Sequence, residues 1–427
     1  MSTKSSIKQW SVFTEYKGLP REVYVLFFAR LINSAGWFVF PFLTFFMTQK
    51  LGMDADVSGL FLMIIAALRG LGSVLGGKLT DLMGRKAILL IFQTLSALIF
   101  GVCGFLGETI LVPYMLMAAS FFGSIAFPAN GAIVTDLTTP KNRQQAMSLL
   151  YLGMNIGVAV GHMAGGFLFE NLTRWLFWGD MITSLVALTL VLVYVKDTTP
   201  DQEEIDAINQ SDRDGEKAAQ GGVIRALLDR PFLLAFCFIA ILISFIYRQV
   251  NYTIPQHLSV LFGPKGAPYF GLMMTLNALV VVFCTTPLMI ATRRFRPVYN
   301  VILAAVTYAI GFGMLFFEVG AWWFFLSAFI WTLGEIISSV NINVYVANHS
   351  PITHRGRFNS LFFLIQGVGG ALAPWLTGMY ISSYGVRWAW PMVFGCAVVA
   401  ITGFIILGKM EDRAGRGRRS RETAVNG

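Results

Sequence analysis

Residues 77 to 86 read Gly77-Lys78-Leu79-Thr80-Asp81-Leu82-Met83-Gly84-Arg85-Lys86, a short polar turn set between two long apolar runs. Two glycines permit a tight turn and close helix approach, while an acid and a basic pair can lock neighbouring helix ends. The flanking runs, Val57 to Gly77 and Ala87 to Gly107, are long enough to cross lipid, because about 20 residues at about 1.5 Å rise span a hydrocarbon core of about 30 Å. Working outward, the same test finds ten more: Val23 to Met47, Leu111 to Val134, Gln144 to Phe169, Leu176 to Val195, Phe232 to Leu258, Tyr269 to Ala291, Val298 to Phe317, Trp322 to Val346, Phe358 to Ser382 and Trp388 to Leu407. Six of the twelve precede and six follow a polar stretch, Lys196 to Arg230, whose acids (Asp201, Glu203, Glu204, Asp206, Asp212, Asp214 and Glu216) mark a solvated linker. The expected organisation is an N-terminal segment 1–22, a six-helix bundle 23–195, the linker 196–230, a second bundle 231–408 and a basic tail 409–427.

Composition agrees with a membrane protein. Of 427 residues 56% are hydrophobic and 13% charged, with a mean hydropathy of +0.65; a soluble domain carries about 25% charged residues. The net charge of +9 would suit nucleic acid only as a basic face on a soluble fold, and no long segment is soluble, so no nucleic-acid partner is expected. With the N-terminus inside, 25 of the 32 Lys and Arg residues fall in inner loops, linker and tail. Only Lys50, Arg174, Lys265 and Arg387 lie outside, and three arginines lie within spans. That bias places both termini in the cytoplasm, and Trp175, Trp178, Trp322, Trp323, Trp388 and Trp390 fall at predicted outer ends, where indoles favour the interface. The first 20 residues are polar and mixed, so no cleaved signal peptide is expected. Cys103, Cys237, Cys284 and Cys396 are scattered through the spans, as packing cysteines rather than a disulfide framework or metal cluster.

The halves are related. Gly123, Ser124, Asn130 and Pro140 recur 211 positions later as Gly334, Glu335, Asn341 and Pro351. After one inserted residue, Arg143, Ser148, Leu149, Gly157 and Gly166 match Arg355, Ser360, Leu361, Gly369 and Gly378. Spans four and five are thus repeated as ten and eleven. A parallel duplication of six helices encloses a site between the halves and moves by rocking. The expected fold is all-α and integral to the membrane, with twelve transmembrane helices in two pseudo-symmetric six-helix bundles.

On these residues the chain resembles the major facilitator superfamily, whose loop signature G-x-x-x-D-x-x-G-R-K stands at Gly77, Asp81, Gly84, Arg85 and Lys86. The resemblance implies that Asp81 faces the N-terminus of helix eleven and that Arg85 pairs with the acid ending helix four, which is Asp136. A carboxylate at a helix N-terminus gains about 0.3 to 1 kcal/mol, weak enough to break in each cycle. Asp81, Arg85 and Asp136 are therefore expected to latch the outward-facing state; Lys78, Arg85 and Lys86 also set topology. The chain is most similar to the twelve-helix drug:proton antiporter branch, and Thr332-Leu333-Gly334-Glu335-Ile336 looks like a glutamate motif of those exporters. It departs from the branch at Ala119 to Gly123, which lacks the Arg and Gln of R-x-x-Q-G, and at Gly161 to Gly166, where His162 replaces the proline of G-P-x-x-G-G. Ala373-Pro374-Trp375-Leu376-Thr377-Gly378 keeps that proline.

Few ionisable groups break the apolar spans. Glu335 is the acid read as embedded, and at that depth a charge costs about 2.5 to 3.5 kcal/mol on insertion scales, so it should face a cavity or a partner. Withdrawal from water penalises a charged carboxylate, which suits a group that binds and releases a proton. Arg248, deep in helix seven, is its expected partner, and the two form the candidate proton-coupling pair; a static ion pair is the plainer reading. Arg30 and Arg69 are read toward the cytoplasmic third of helices one and two, as structural links or attractors of an anionic substrate. Helical spacing puts Arg30, Asn33, Ser34, Trp37, Pro41 and Thr44 on one face of helix one, and Ser244, Tyr247, Arg248, Asn251, Tyr252 and Pro255 on one face of helix seven. Helix ten adds Trp331, Glu335, Ser338 and Ser339, with Asn341 nearby, and helix four adds Ser120, Ser124 and Asn130. The expected substrate cavity comprises Arg30, Asn33, Trp37, Ser124, Tyr247, Asn251, Tyr252, Trp331 and Asn341, although polar stripes also glue membrane helices together. His162 reads as a packing histidine.

Aromatic lining with few charges suits an amphipathic ligand held in several poses. The favoured function is a proton-coupled antiporter exporting drugs or amphipathic small molecules by alternating access. The alternative is a proton-coupled symporter importing an anionic nutrient or peptide, although helix one lacks the E-x-x-E-R signature of peptide symporters around Arg30. A transport-dead receptor is a third reading. With no P-loop or metal-ligand cluster in the sequence, an enzyme is not expected. The expected partners are a small-molecule substrate, protons and the bilayer of the cell inner membrane. The energy source is the proton gradient, with no cofactor or metal, and the protein is expected to be a monomer.

Overall fold

The computed structural model describes residues 16–139, 142–197, 230–317, 320–349 and 355–425, with the side chains of 81, 144, 347, 355–364 and 414–425 left aside. Residues 198–229 of the linker and the first 15 residues therefore lie outside the described residues. Among the described residues the chain is helical, without strands. Ten stretches are long and apolar enough to cross a membrane. One of them, Pro231–Thr292, folds back at Gly263–Lys265 and supplies two crossings. Helix Arg355–Tyr384 completes the twelve.

The first crossing is broken: Arg21–Ala35, then Val39–Phe45 running into a π turn at Phe46–Lys50. Pro41 has no N–H to meet the Trp37 carbonyl, which is why the chain leaves helical geometry just after Gly36. The predicted single face from Arg30 to Thr44 therefore does not exist. The second crossing, Ala55–Met83, ends at Gly84, whose φ of +89° only glycine adopts without strain. Arg85–Leu106, Leu111–Asp136, Arg143–Asn171 and Thr173–Tyr194 complete the first half. The seventh crossing is also interrupted, as Pro231–Arg248, a 3₁₀ turn at Gln249–Asn251 and Thr253–Phe262. Then follow Gly266–Thr292, Pro297–Gly313, Ala321–His349, Arg355–Tyr384 and Ala389–Val425.

The repeat predicted from sequence appears as equivalent packing. A Cβ on Gly123 would meet Ser96 of helix three, and one on its counterpart Gly334 would meet Thr307 of helix nine. Gly157 rests on Leu31 of helix one and Gly369 on Ile241 of helix seven. Gly166 rests on Ala267 of helix eight and Gly378 on Ala55 of helix two. Small residues let backbones approach where lipid offers no hydrophobic drive for helix association, so each repeated glycine marks an equivalent crossing, the first two pairs within their own halves and the third between the halves. In the polar loop motif the close approach falls one residue from the expected place. Gly77 would meet nothing, whereas a Cβ on Gly76 would lie 2.2 Å from the Ile125 carbonyl oxygen.

The halves meet along helices two and eleven and along helices five and eight, and they are sealed at the basic-poor end, the end expected to face outward. Pro255 leaves the Asn251 carbonyl without its helical donor, and the Thr44 hydroxyl from the other half donates to it at 2.9 Å. Gln49 Nε2 donates to Ser259 Oγ at 2.5 Å and to the Gly263 carbonyl at 3.1 Å. The Tyr252 hydroxyl donates to the Ala55 carbonyl, and Ser382 Oγ donates to Asp56 Oδ1 at 3.2 Å. Behind these bonds Phe42, Phe45, Phe169 and Phe270 form a fully buried aromatic plug drawn from both halves. Arg69, halfway along helix two, and Arg248, at the break in crossing seven, are nonetheless exposed. The contacts between the halves are thus gathered at the basic-poor end, and that end is closed.

Candidate functional site

Glu335 is the fifteenth of the 29 residues of helix ten, at mid-membrane. Asn277 of helix eight donates from Nδ2 to Glu335 Oε2 at 2.7 Å and to Thr332 Oγ1 at 3.0 Å. The Tyr247 hydroxyl of helix seven faces the same carboxyl, and Tyr308 and Trp331 close the aromatic wall behind it. Tyr308 is fixed by a 3.0 Å bond to Ser338 Oγ. One carboxyl thus gathers groups from helices seven and eight onto helix ten, in a pocket where charge is costly. The expected Arg248–Glu335 ion pair is not formed. The seventh helix unwinds immediately after Arg248, and successive helical residues point about 100° apart. Tyr247 therefore turns to Glu335, while the Arg248 guanidinium lies over Gly370 of helix eleven, 3.1 Å from a Cβ built there.

Arg69 is the fifteenth of 29 residues in its helix, at the centre rather than in the cytoplasmic third. The helix runs six residues beyond the apolar stretch, to Met83, which moves its midpoint. The Arg69 guanidinium stacks over the Phe40 ring at 4.9 Å and is close enough to Arg248, on the opposite half, for the two charges to repel. Arg30, half-buried nearer the inner side, touches Met154 Sδ at 4.0 Å. Trp37, at the break in helix one, is 38% exposed.

Other residues expected in the cavity are committed to packing. Asn33 Oδ1 accepts from Ser184 of helix six at 3.0 Å. Ser124 is buried against Gly72 and donates to the Phe121 carbonyl at 2.7 Å. Trp331 is fully buried, stacked on Phe312. Asn341 accepts from Asn300 of helix nine at 2.8 Å. Asn251 and Tyr252 belong to the outer seal. His162 bonds the Val158 carbonyl of its own helix at 2.7 Å, a packing role. His257 is buried within crossing seven, where Trp390 Nε1 donates to its Nδ1 at 2.9 Å.

In the loop motif Arg85 Nε meets Asp136 Oδ2 at 2.7 Å, joining the start of helix three to the end of helix four; the pair is formed although the basic-poor end is closed, so it is not confined to the outward-facing state expected from the sequence. Lys86 Nζ donates to the Leu192 carbonyl at 2.8 Å. The Asp81 side chain and the side chains at the start of helix eleven lie outside the described residues.

Three features escaped the sequence reading. Asp180, in helix six, is a second embedded acid: it is buried, accepts from the Val39 N–H where helix one restarts, sits beside Ser184 and leaves Oδ2 unbonded. Asn277 was not singled out at all. At the inner end of the second half, Glu411 gathers Arg296 at 2.7 Å, the Tyr345 hydroxyl and His349 at 3.5 Å, while Tyr299 donates to Asp412 at 2.6 Å.

Two six-helix bundles that meet across polar residues drawn from both halves have the architecture of a membrane transporter. The sequence pattern of the Major Facilitator Superfamily matches residues 26–374 and 265–425, and the chain belongs to that superfamily. It is 26% identical over 367 residues to the uncharacterized MFS-type transporter YqjV of Bacillus subtilis (strain 168), covering 84% of this chain and 85% of the relative. It is 24% identical over 402 residues to a Na(+), Li(+), K(+)/H(+) antiporter of Planococcus maritimus, covering 88% and 92%. A 157-residue match, 28% identical, relates 36% of the chain to 39% of the multidrug resistance protein MdtH of Photorhabdus laumondii. Among solved structures, a peptide transporter POT in complex with sulfate superposes with a TM-score of 0.73 at 16% identity, covering 93% and 95%. The nucleoside transporter NupG gives 0.71 at 14%, covering 91% and 98%. These likenesses fix the fold.

Proposed function

We propose that this transporter is a proton-coupled antiporter that exports amphipathic small molecules, drugs among them, across the cell inner membrane, with both termini and the 196–230 linker in the cytoplasm. The supporting observation is Glu335, a mid-membrane carboxyl that takes its hydrogen bonds from neutral donors on two other helices. An ionised Glu335 holds helices seven and eight to helix ten through charge-assisted bonds. Adding a proton removes the cost of a buried charge and weakens both bonds, freeing the second half to repack. Arg248 is released from the coupling role and stands in the cleft.

In inverted vesicles with an acidified lumen, added amphipathic drug should alkalise the lumen, and Glu335→Gln should abolish that response. Intact coupled transport in Glu335→Gln would overturn the mechanism. The Planococcus relative motivates a second reading, exchange of monovalent cations for protons. In the same vesicles, Na⁺, Li⁺ or K⁺ would then alkalise the lumen without any drug.

A further inference from the structure

The two central arginines are unusual as a pair. Each sits at mid-membrane on a helix of a different half, and among the described residues neither has a carboxylate within ion-pair distance. The embedded acids are engaged elsewhere. Glu335 is bound by Asn277 and faced by Tyr247, and Asp180 is turned to Val39 and Ser184. Among the described residues the other elements bring no anionic neighbour to the pair: helix one offers the Phe40 ring to Arg69, and helix eleven offers Gly370 to Arg248, whose small surface leaves the guanidinium room. Two like charges on facing halves repel each other, and a third, negative group that joins them removes that cost.

We propose that Arg69 and Arg248 form a substrate-anion site, so that the transported molecule is an amphipathic anion whose carboxylate, sulfonate or phosphate bridges the two halves. A guanidinium offers a rigid fork of donors to such oxygens, and Phe40 beneath Arg69 supplies an aromatic surface for the apolar part. The anion also does mechanical work, because it cancels the repulsion that otherwise holds the halves apart in the cleft. This inference rests on the exporter reading for the direction of transport, though binding itself does not depend on it.

The test uses the purified full-length protein in detergent, with naphthalene-2-sulfonate and its uncharged analogue naphthalene-2-sulfonamide as probes, followed by isothermal titration calorimetry. The sulfonate should bind at least about 10-fold more tightly than the sulfonamide. Arg69→Gln and Arg248→Gln should each remove that preference while leaving sulfonamide binding within about 2-fold, which also reports that the variants are folded. Arg248→Lys should keep part of the preference. Binding in detergent is read without a proton gradient, so a failed coupling mechanism leaves the sulfonate preference in place, whereas a failed anion site removes it. Equal affinity for the two probes in the unmodified protein, no binding of either, or an undiminished preference in the Arg69→Gln/Arg248→Gln double variant would overturn the proposal.

Discussion

Replacing Gly59 by alanine should push the molecule toward its outward-open state. A Cβ on Gly59 would lie 2.2 Å from the Pro374 carbonyl oxygen, 2.7 Å from its carbon and 2.9 Å from the Tyr252 hydroxyl. Ordinary contact needs the helices to part by about 1 Å, and the obstacle is mostly backbone, which cannot swing aside as a side chain can. Overpacking of this kind costs about 1 to 3 kcal/mol. The clash exists only while helix two rests on helix eleven at the outer face. The penalty therefore falls on the outward-closed state alone and changes the ratio of states by about 5- to 150-fold. Gly378→Ala, whose Cβ would lie 2.5 Å from the Ala55 carbonyl oxygen, should act the same way. The double variant should gain less than the sum, because one opening relieves both clashes. Met47, fully buried behind the seal, supplies the reporter: Met47→Cys, with Cys103, Cys237, Cys284 and Cys396 replaced by alanine, labelled from outside intact cells by an impermeant maleimide. Labelling should accelerate in Gly59→Ala and Gly378→Ala but not in Gly70→Ala, where an added Cβ meets nothing. Unchanged labelling in both clashing variants, or equal acceleration in Gly70→Ala, would refute the reasoning.

Charge reversal in Asp136→Arg should slow transport by breaking the 2.7 Å contact with Arg85. Adding Arg85→Asp should restore part of the rate, measured as substrate flux in vesicles; the pair is partly exposed and is worth about 1 kcal/mol. Asp180→Ala should lower thermal stability in detergent by about 1 to 2 kcal/mol, because the Val39 N–H loses its acceptor. Asp180→Asn, which retains a carbonyl oxygen, should lose less in the same melting assay. Glu411→Ala should lower the melting temperature too, since Arg296, Tyr345 and His349 lose a common partner.

The helices, their number and the duplication were legible because they are written in long apolar runs and in glycines that recur at fixed spacing. What each glycine touches follows from the repeat, as Gly157 on helix one and Gly369 on helix seven illustrate. The site was harder to read. Glu335 stood out as a charge in an apolar helix, but its partner depended on how helix seven unwinds at Gln249–Asn251, which turns Tyr247 rather than Arg248 toward it. Asp180 passed unnoticed because it lies near the outer start of its span, where an acid reads as interfacial. The need it meets arises only from the break between Ala35 and Val39. Polar residues such as Ser124, Asn33 and Asn341 carry no mark distinguishing a cavity wall from a helix contact, and packing decides between the two.

The outer seal divides its labour unevenly between the halves. Thr44, Tyr252 and Gln49 each reach a main-chain carbonyl, those of Asn251, Ala55 and Gly263. A carbonyl is present whatever side chain the position carries, so three of the contacts are encoded on the donor side only. Asn251 can therefore drift through evolution without losing its place in the closure. The closure therefore depends on the course of the backbone at these three positions more than on their side chains, which gives a transporter of this build room to vary its rim while keeping the door that shuts there.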